Sequence, residues 1–498
     1  MTRRSLTLAD VLEGLGTIPG TQSIPLDRRS EGLRQEISTS VIDSRKSKPG
    51  ALFFAFEGEH TDGHDYVADA FSRGAVAAVV QHEVAVEAST VDLTTMFEPL
   101  SEAPALPLVL KVDRTLQALQ RLATFWRRSQ KDLRVIGITG SVGKTTTKEL
   151  AAAVLSRRYS TIKSEASYNN EIGLPLTLLH LTSEHERAVL EMGMYDVGEI
   201  ADLARMGQPH VGIVTIVRPV HLERAGSFQR IVEAKTELVE ALPAGPEGVA
   251  ILNYDDENVR NMAKSTEARV FTYGLSPQAD IWADQIEGLG LEGIRFRIHY
   301  GQDALHVKVP LLGRHSVHTS LRAAALGLVE GLTWQEIIEG LHGVEPSDQL
   351  RLVAVRGPAG ATILDDTYNA SPASTIAALN LLDELEGRKI AVLGDMLELG
   401  HYEQEGHQKV GMRALEVADV LVTLGSLGRI IGETAIRWGM SPDTVHMVDD
   451  NDEAVHLLED ILERGGERHR AMILVKGSRA LKMEEIVNRL QRSDDSTS

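Results

Sequence analysis

LRVIGITGSVGKTTTKELAAAVL, residues 133–155, is the stretch of sequence on which the predicted fold depends. Residues 133–139 are mostly apolar and β-branched, which is typical of a buried strand, and the run from Lys148 to Leu155 favours a helix. Glycines at 140 and 143 mark a turn between them. Glycine lets backbone N–H groups approach a phosphate, and a helix N-terminus adds partial positive charge. The stretch therefore predicts a phosphate-binding loop.

Two side chains of this loop are candidates for chemistry. Lys144 is predicted to reach the β- and γ-phosphates of a nucleotide, and the Thr145 hydroxyl to ligate Mg²⁺. The strict pattern G-x-x-x-x-G-K-[ST] is not matched, because Ile138 occupies the place of its first glycine. The sequence does match the tighter pattern T-G-x-x-G-K-T-T. The alternative is an ordinary glycine turn with a surface lysine, and the flanking strand and helix argue against it.

Composition limits the class of protein. The 498 residues predict about three domains. A net charge of −20, from 51 basic and 71 acidic residues, argues against a surface for nucleic acid or anionic membranes. The absence of cysteine excludes disulfides, a thiolate nucleophile and Cys–zinc sites. No signal-peptide apolar region follows Arg3-Arg4, and no apolar run approaches the roughly 18 residues of a membrane span. We expect a cytoplasmic enzyme without membrane insertion.

The pattern of apolar runs predicts an α/β fold in three domains. Residues 1–108 are expected to form a small α/β domain, joined by a connecting segment, 109–130, that is helical from Thr115 to Ser129. Residues 131–345 alternate apolar strands with helices, which predicts a mostly parallel sheet, and residues 295–310 are expected to add a β-hairpin appendage.

The third predicted domain, residues 346–498, follows a hinge at Pro346-Ser347-Asp348 and has the strand–helix alternation of a Rossmann-like unit. Its strands are expected at 361–366, 390–394, 420–425 and 472–477. No G-x-G-x-x-G follows the first of these strands, so dinucleotide binding is not expected.

Polar residues at predicted strand ends are candidates for ligand binding. In the first domain, Asp43, Ser44, Arg45 and His64 can form a polar pocket for an anionic ligand, and the alternative is turn chemistry with surface charge. In the central domain, Glu191 ends a strand next to the phosphate loop, where a carboxylate can hold a cation. The alternative is a capping or ion-paired glutamate.

His221, in a loop, and Lys235, on a predicted helix, are two further candidates in the central domain. A lone histidine is usually structural. The alternative for Lys235 is that it is an exposed lysine on the helix surface that pairs with Glu233 or Glu237.

A series of short motifs in one order resembles the Mur ligases, ATP-dependent amide-forming enzymes of cell-wall precursor synthesis. In the central domain these are TGSVGKTT (139–146), YNNEIGLP (168–175), LEMG (190–193), VHLE (220–223) and EAKTE (233–237). The flanking domains add IDSR (42–45), DGHDY (62–66), LDDTYNA (364–370), VLGDMLELG (392–400) and VKGSRALKM (475–483). The resemblance covers essentially the whole chain. It is strongest to the member that adds D-alanyl-D-alanine to UDP-N-acetylmuramoyl-tripeptide.

The resemblance implies a role for each matching residue. The catalytic set is Lys144, Glu191, His221, Lys235 and Arg351. ATP is expected to contact Gly140, Ser141, Val142, Gly143, Lys144, Thr145, Thr146, Arg351 and Asp366, with Asp366 at the ribose and Arg351 at the phosphates. Two Mg²⁺ ions are expected, one on Thr145 and Glu191, the other on His221 and a CO₂-derived carbamate of Lys235. The UDP-muramyl substrate is expected at Asp43, Ser44, Arg45, Asp62, Gly63, His64, Asn169 and Asn170.

The chain departs from the family pattern at several positions where asparagine or glycine is usual. These are Ala166, Ser167, Ile216, Arg218, Ser316, Thr319, Leu350 and Ser371. Several of the departures remove amides that both donate and accept hydrogen bonds. The lost amides keep one alternative open, a non-catalytic muropeptide-binding paralogue. A sister ligase that adds a single amino acid or glutamate is a second alternative. In each case a monomer is expected.

Overall fold

The computed structural model describes residues 4–16, 32–58, 61–94, 104–220, 222–344, 352–465 and 470–495. Within them the chain forms three β-sheets, of five, nine and six strands, with helices packed against them. The predicted α/β class with three sheet-containing regions is confirmed. His221, Arg351 and the predicted hinge at 346–348 lie outside the described residues.

The first sheet is parallel and has the strand order β1-β2-β3-β5-β4. Its elements and the helices around it are α1 (Leu8–Gly16), β1 (Thr39–Val41), β2 (Ala51–Phe54), α2 (Val67–Ser72), β3 (Ala75–Val80), β4 (Ser89–Asp92), β5 (Leu108–Lys111) and α3 (Thr115–Ser129). Because β5 pairs with β3 and β4, this sheet extends to Lys111, just past the predicted boundary at 108. The domain boundaries otherwise stay a prediction.

Helix α3 is more than a connector. Its Leu119, Leu122 and Trp126 are fully buried in one apolar cluster that also contains Leu52 of the first sheet and Leu174 of the central domain. The Trp126 indole Nε1 donates to the Leu181 carbonyl at 2.9 Å. Burial of large apolar side chains is the main stabilising term in folding, so α3 fastens the first sheet to the central domain.

The central sheet has the order β14-β13-β12-β11-β10-β9-β6-β8-β7. Its strands are β6 (Arg134–Thr139), β7 (Thr161–Lys163), β8 (Arg187–Glu191), β9 (Val211–Val214), β10 (Val249–Asn253), β11 (Arg269–Gly274), β12 (Ile281–Gly288), β13 (Ile294–Tyr300) and β14 (Asp303–Val309). Its helices are α4 (Lys144–Leu155), α5 (Gly173–Leu179), α6 (Glu199–Gly207), α7 (Leu222–Ala225), α8 (Phe228–Glu240), α9 (Glu257–Asn261), α10 (Ser316–Val329) and α11 (Trp334–His342).

Strand β6, which leads into the phosphate loop, lies between β8 and β9, and all three run parallel. The chain order reverses at this point, and open α/β sheets bind ligands at the carboxyl ends of strands where this happens. The predicted hairpin is present as β13 and β14, but its description as an appendage is wrong. Strand β12 pairs parallel with β11 and antiparallel with β13, so the hairpin continues the central sheet.

The third sheet has the order β15-β16-β20-β17-β18-β19 and is parallel except for the pair β15–β16. Its elements are β15 (Val353–Arg356), β16 (Thr362–Asp365), α12 (Pro372–Glu384), β17 (Arg388–Gly394), α13 (Glu403–Val417), β18 (Val420–Leu424), α14 (Gly428–Arg437), β19 (Val445–Val448), α15 (Asn451–Gly465), β20 (Ala471–Lys476) and α16 (Glu484–Asp495). None of the described helices in any domain combines the length and apolar composition that crossing a membrane requires.

Candidate active site

The phosphate loop has the shape that its glycines predict. Helix α4 begins at Lys144, four residues earlier than the sequence suggested, so Lys144 and Thr145 lie in its first turn. Gly143 precedes the helix with a φ of +84°, and Gly140 has a φ of +141°. The Lys144 Nζ donates to the Gly140 carbonyl at 2.9 Å. The backbone N–H groups at the start of α4 can therefore face an anion.

Gly140→Ala is expected to lower the free energy of unfolding by at least about 1–3 kcal/mol and to remove ADP binding. The left-handed backbone disfavours alanine, and an added Cβ would overlap the Thr215 hydroxyl. Urea unfolding and calorimetric titration with ADP measure the two effects. Gly198→Ala is the matched control, because Gly198 has a φ of +99° but no atom lies within 4 Å of an added Cβ. Wild-type stability and ADP affinity in Gly140→Ala would refute the expected geometry.

A carboxylate, a hydroxyl and an amide meet beside the loop. Glu191 lies opposite Ile138 in the β6–β8 ladder and is fully buried. Thr145 Oγ1 donates to Glu191 Oε2 at 3.0 Å, and Asn169 Nδ2 donates to Glu191 Oε1 at 2.9 Å. Carboxylate and hydroxyl oxygens are the ligands that Mg²⁺ prefers, so this donor set fits the first of the two expected ions.

Lys148 is a residue of this site that the sequence analysis missed. It lies one helical turn after Lys144, is fully buried, and donates from Nζ to the Ala166 carbonyl at 2.6 Å. That bond holds the loop that carries Asn169 against α4. Ala166 itself has a φ of +44°, a conformation that favours glycine. The spacing of four residues between the two lysines was the available signal, since it places them on one helix face.

Lys235 lies on α8 and is only 2% exposed. The surface-lysine alternative is therefore wrong: the Glu237 carboxylate instead accepts the Gly198 and Ala201 backbone N–H groups, at 2.5 and 2.8 Å. Among the described residues, no hydrogen bond or ion pair to the Lys235 ammonium is found. Burial, together with the positive charge of Lys144, holds the pKa of Lys235 well below its usual range. Lys144 therefore lies close enough to Lys235 for its charge to oppose protonation of the Lys235 amine.

A cavity of about 530 Å³ lies between the central and third domains and contains part of the loop. Ser141, Gly143 and Thr146 line one side, and Asp366 and Lys476 line the other. Lys476 Nζ donates to Asp366 Oδ2 at 2.6 Å and to the Asn369 carbonyl at 2.9 Å. Phosphate-loop residues and Asp366, which are far apart in sequence, therefore face the same space.

Known proteins match this chain along nearly all of its length. Family models described as Mur ligase family catalytic domain, Mur ligase middle domain, and Mur ligase glutamate ligase domain match residues 36–127, 138–327 and 350–479. A UDP-N-acetylmuramoyl-tripeptide–D-alanyl-D-alanine ligase of Bacillus subtilis is 35% identical over 456 residues, which are 91% of this chain and 93% of the relative. The chain belongs to the Mur ligase family.

Further Mur ligases agree in sequence and in fold. The ligase of the same description from Escherichia coli is 33% identical over 94% of this chain and 97% of its own. A crystal structure of MurF from Acinetobacter baumannii superposes with a TM-score of 0.81 at 28% identity, and the match covers 99% of this chain and 100% of that one. The family resemblance found in the motifs is confirmed.

Most departures of this Mur ligase from the family pattern have acquired structural hydrogen bonds. Ser371 caps helix α12 and accepts the Ser374 N–H, and Ser316 donates to the Leu312 carbonyl at 2.7 Å. Arg218 pairs with Asp256 at 2.9 Å, and Thr319 accepts from Arg322 at 2.7 Å. Ser167 contacts the Tyr368 hydroxyl of the third domain. Of the others, Ile216 accepts the Ser141 N–H at 2.7 Å, and Leu350 lies outside the described residues.

The polar residues of the first domain lie at the carboxyl ends of parallel strands. Asp43 accepts the Arg45 N–H and pairs with the Arg45 guanidinium at 2.8 Å. Asp62 accepts the His64 N–H, and buried His64 donates from Nδ1 to Asp62 at 2.6 Å. The hydrogen bonds of the turn-chemistry alternative are therefore present in this Mur ligase, and binding of an anionic ligand by these residues stays a prediction.

The tautomer of His64 is set by its neighbours. The Gln81 backbone N–H donates to His64 Nε2 at 3.0 Å, so the proton of the ring is on Nδ1. His82 stacks on His64 with ring centroids 3.7 Å apart and bonds to Asp62 at 3.1 Å. His82 was missed, because only the fold brings it to Asp62.

Two asparagines predicted to bind substrate lie in different surroundings. Asn169 joins Glu191 at the loop, whereas the Asn170 Oδ1 accepts the Gly173 N–H at 2.9 Å and fixes the start of α5. The structure thus brings Asn169 to the phosphate side of the site. Substrate contacts by either residue stay a prediction.

Proposed function

We propose that this Mur ligase joins D-alanyl-D-alanine to UDP-N-acetylmuramoyl-tripeptide, with ATP as the energy source, in cytoplasmic peptidoglycan precursor synthesis. The observation that carries the proposal is the 35% identity, over 91% of the chain, to a ligase of that description. The buried group of Thr145, Glu191 and Asn169 beside the phosphate loop supports it.

The reaction proceeds in two steps. The terminal carboxylate of the tripeptide attacks the γ-phosphorus of ATP, which releases ADP and gives an acyl phosphate. The amine of D-alanyl-D-alanine then attacks the acyl carbon, loses a proton and displaces inorganic phosphate. Phosphoryl transfer needs positioning and charge stabilisation more than covalent help from the protein. Lys144 and the backbone N–H groups at the start of α4 supply both at the phosphates.

Metal ions are assigned to the buried polar groups. Thr145 and Glu191 would hold one Mg²⁺, and His221 with a carbamate on Lys235 would hold the second. Bound Mg²⁺ would neutralise phosphate oxygens that gain charge in the transfer. Asn169 orients Glu191 by donating to the oxygen that Thr145 does not bond.

The remaining roles are assigned to the flanking domains. Asp366 contacts the ribose, and its ion pair with Lys476 fixes the direction of its carboxylate. Arg351 contacts the phosphates. We assign residues 1–108 to a domain that binds the UDP-muramyl end of the substrate and residues 109–130 to the connecting segment. Residues 131–345 form the ATP-binding domain of this proposal, and residues 346–498 form its Rossmann-like third domain. One chain then supplies the whole site, as a monomer.

A phosphate-release assay tests the function. We expect turnover only when ATP, UDP-N-acetylmuramoyl-tripeptide and D-alanyl-D-alanine are all present. The Glu191→Gln variant, which keeps the shape but loses the charge, is the control for contaminating phosphatases and should release no phosphate above background. Turnover only with single amino acids or glutamate would replace the dipeptide assignment by a sister ligase. Binding of the muropeptide without turnover on any acceptor would identify a non-catalytic paralogue.

A further inference from the structure

Arg322 is a buried arginine behind the phosphate loop to which the motifs assign no role. It lies on α10, is 4% exposed and lines the cavity between the central and third domains. Helix α10 packs against α4, the helix that begins at the loop. An ideal Cβ on Gly143 would lie 3.3 Å from Arg322 Nη2. The guanidinium therefore lies beside Gly143 of the loop.

The positive charge of Arg322 is incompletely compensated. Its Nη2 donates to Thr319 Oγ1 at 2.7 Å and its Nη1 donates to the Tyr273 hydroxyl at 3.4 Å, while its buried Nε has no acceptor. Within the described part of the chain, no carboxylate lies within ion-pairing distance of it. The other lysine and arginine side chains that line the cavity are paired there, Lys476 with Asp366 and Arg218 with Asp256.

A buried cation without a counter-ion costs folding free energy, and such groups are retained where an anion compensates them. The N-terminus of α4 adds partial positive charge at the same place. We propose that Arg322 is a further nucleotide-binding residue, whose guanidinium attracts the phosphates held by the 140–145 loop and is oriented by Thr319. The inference rests on the proposed ATP site and deepens it.

A purely structural role for Arg322 has different consequences. The guanidinium carbon lies 5.6 Å from the centroid of the buried Tyr273 ring, so packing alone would account for its position. In that case its removal would destabilise the protein and leave phosphate recognition unchanged. If instead the charge binds the phosphates of the nucleotide, its removal takes an unpaired cation out of the protein interior. Only the affinity for ligands that carry phosphates is then lowered.

Calorimetric titration of the full chain with ADP, and with adenosine as a ligand without phosphates, separates the two. In Arg322→Met we expect ADP affinity to fall about ten- to a hundredfold, adenosine affinity to change less than about twofold, and the melting temperature without ligand to stay equal or rise. Arg322→Lys should retain most of the ADP affinity, and Thr319→Val should lose part of it. Arg314→Met, just before α10 and exposed, is the matched control and should bind ADP as the wild type does.

Unchanged ADP affinity in a folded Arg322→Met, or an equal loss for ADP and adenosine, would overturn the proposal. If Arg322→Met does not fold, Arg322→Gln, which keeps a donor for Thr319 without the charge, takes its place with the same expectations. Failure of the wild type itself to bind ADP would instead contradict the proposed ATP site, so the two failures are distinguishable.

Discussion

Replacing Lys144 by methionine is expected to lower the rate of phosphate release by about 10²–10³-fold, the usual cost of removing one donor from charge that develops in a transition state. Lys144 lies in the first turn of α4, and its Nζ donates to the Gly140 carbonyl at 2.9 Å, which fixes it at the mouth of the loop. Methionine keeps the length of the side chain and removes the charge. Initial rates at saturating ATP measure the effect.

Lys389→Met is the matched control for this variant. Lys389 also donates from Nζ to a backbone carbonyl, that of Asp383 at 2.7 Å, but it lies on β17 and does not line the cavity. We expect it to keep wild-type turnover, and both variants to unfold within about 1 kcal/mol of the wild type. Wild-type turnover in Lys144→Met would contradict the phosphate-binding role and support the alternative of an ordinary glycine turn.

The phosphate loop was predictable because all of its determinants lie within 23 consecutive residues, 133–155. A strand, two glycines and a helix succeed one another there, and each is read from local periodicity and backbone preference. Glu191 was predictable for a related reason. Neighbouring parallel strands end at one edge of a sheet, so a polar residue at the end of such a strand is carried to the loop.

Contacts between distant segments could not be predicted in this way. The bond between Lys476 and Asp366 joins residues 110 positions apart, and only the strand order β16-β20 places them side by side. The proposed role of Arg322 depends on how α10 packs on α4, which no local pattern of charge reveals. Strands β15 and β19 of the third domain were missed because each is four residues long and partly exposed, so the apolar signal is weak.

At two of the departures from the family pattern, the side chains present form structural hydrogen bonds. Thr319 stands where the family usually has asparagine, and its hydroxyl now orients Arg322. Ser371 replaces another asparagine and caps α12. Lys144, Thr145 and Glu191 keep the residue types of the family motifs, so the groups proposed to act on the phosphates and Mg²⁺ are unchanged.

The second large effect is expected at Lys235. A protonated lysine has no lone pair for a metal, and burial beside Lys144 opposes protonation. A neutral amine reacts with CO₂ to give a carbamate, whose oxygens suit Mg²⁺. At 2% exposure the site would also shield a carbamate from water. The proposed carbamate thus explains why a lysine without a described partner lies at the phosphate site.

The pKa shift of Lys235 also predicts how stability depends on pH. Since the pKa is lowered in the folded state, the unfolded chain binds a proton that the folded chain does not between that lowered pKa and the ordinary lysine pKa. Unmodified Lys235 therefore lowers the free energy of unfolding near neutral pH, and this cost disappears as the pH rises toward that ordinary value. Lys235→Met removes the titrating group and should unfold no more easily than the wild type.

Lys235→Met is accordingly expected to lose at least about a hundredfold in turnover while it still binds ADP and keeps its melting temperature, because the proposed ligand of the second metal would be gone while the loop stays intact. Depleting CO₂ should lower wild-type turnover, and adding bicarbonate should restore it. With isotopically labelled bicarbonate, carbon NMR should show a carbamate resonance in the wild type and none in the variant. Full turnover in Lys235→Met would rule out the carbamate. So would a wild-type protein whose turnover is independent of CO₂ and whose carbon NMR spectrum lacks the carbamate resonance, and Lys235 would then be a buried structural amine.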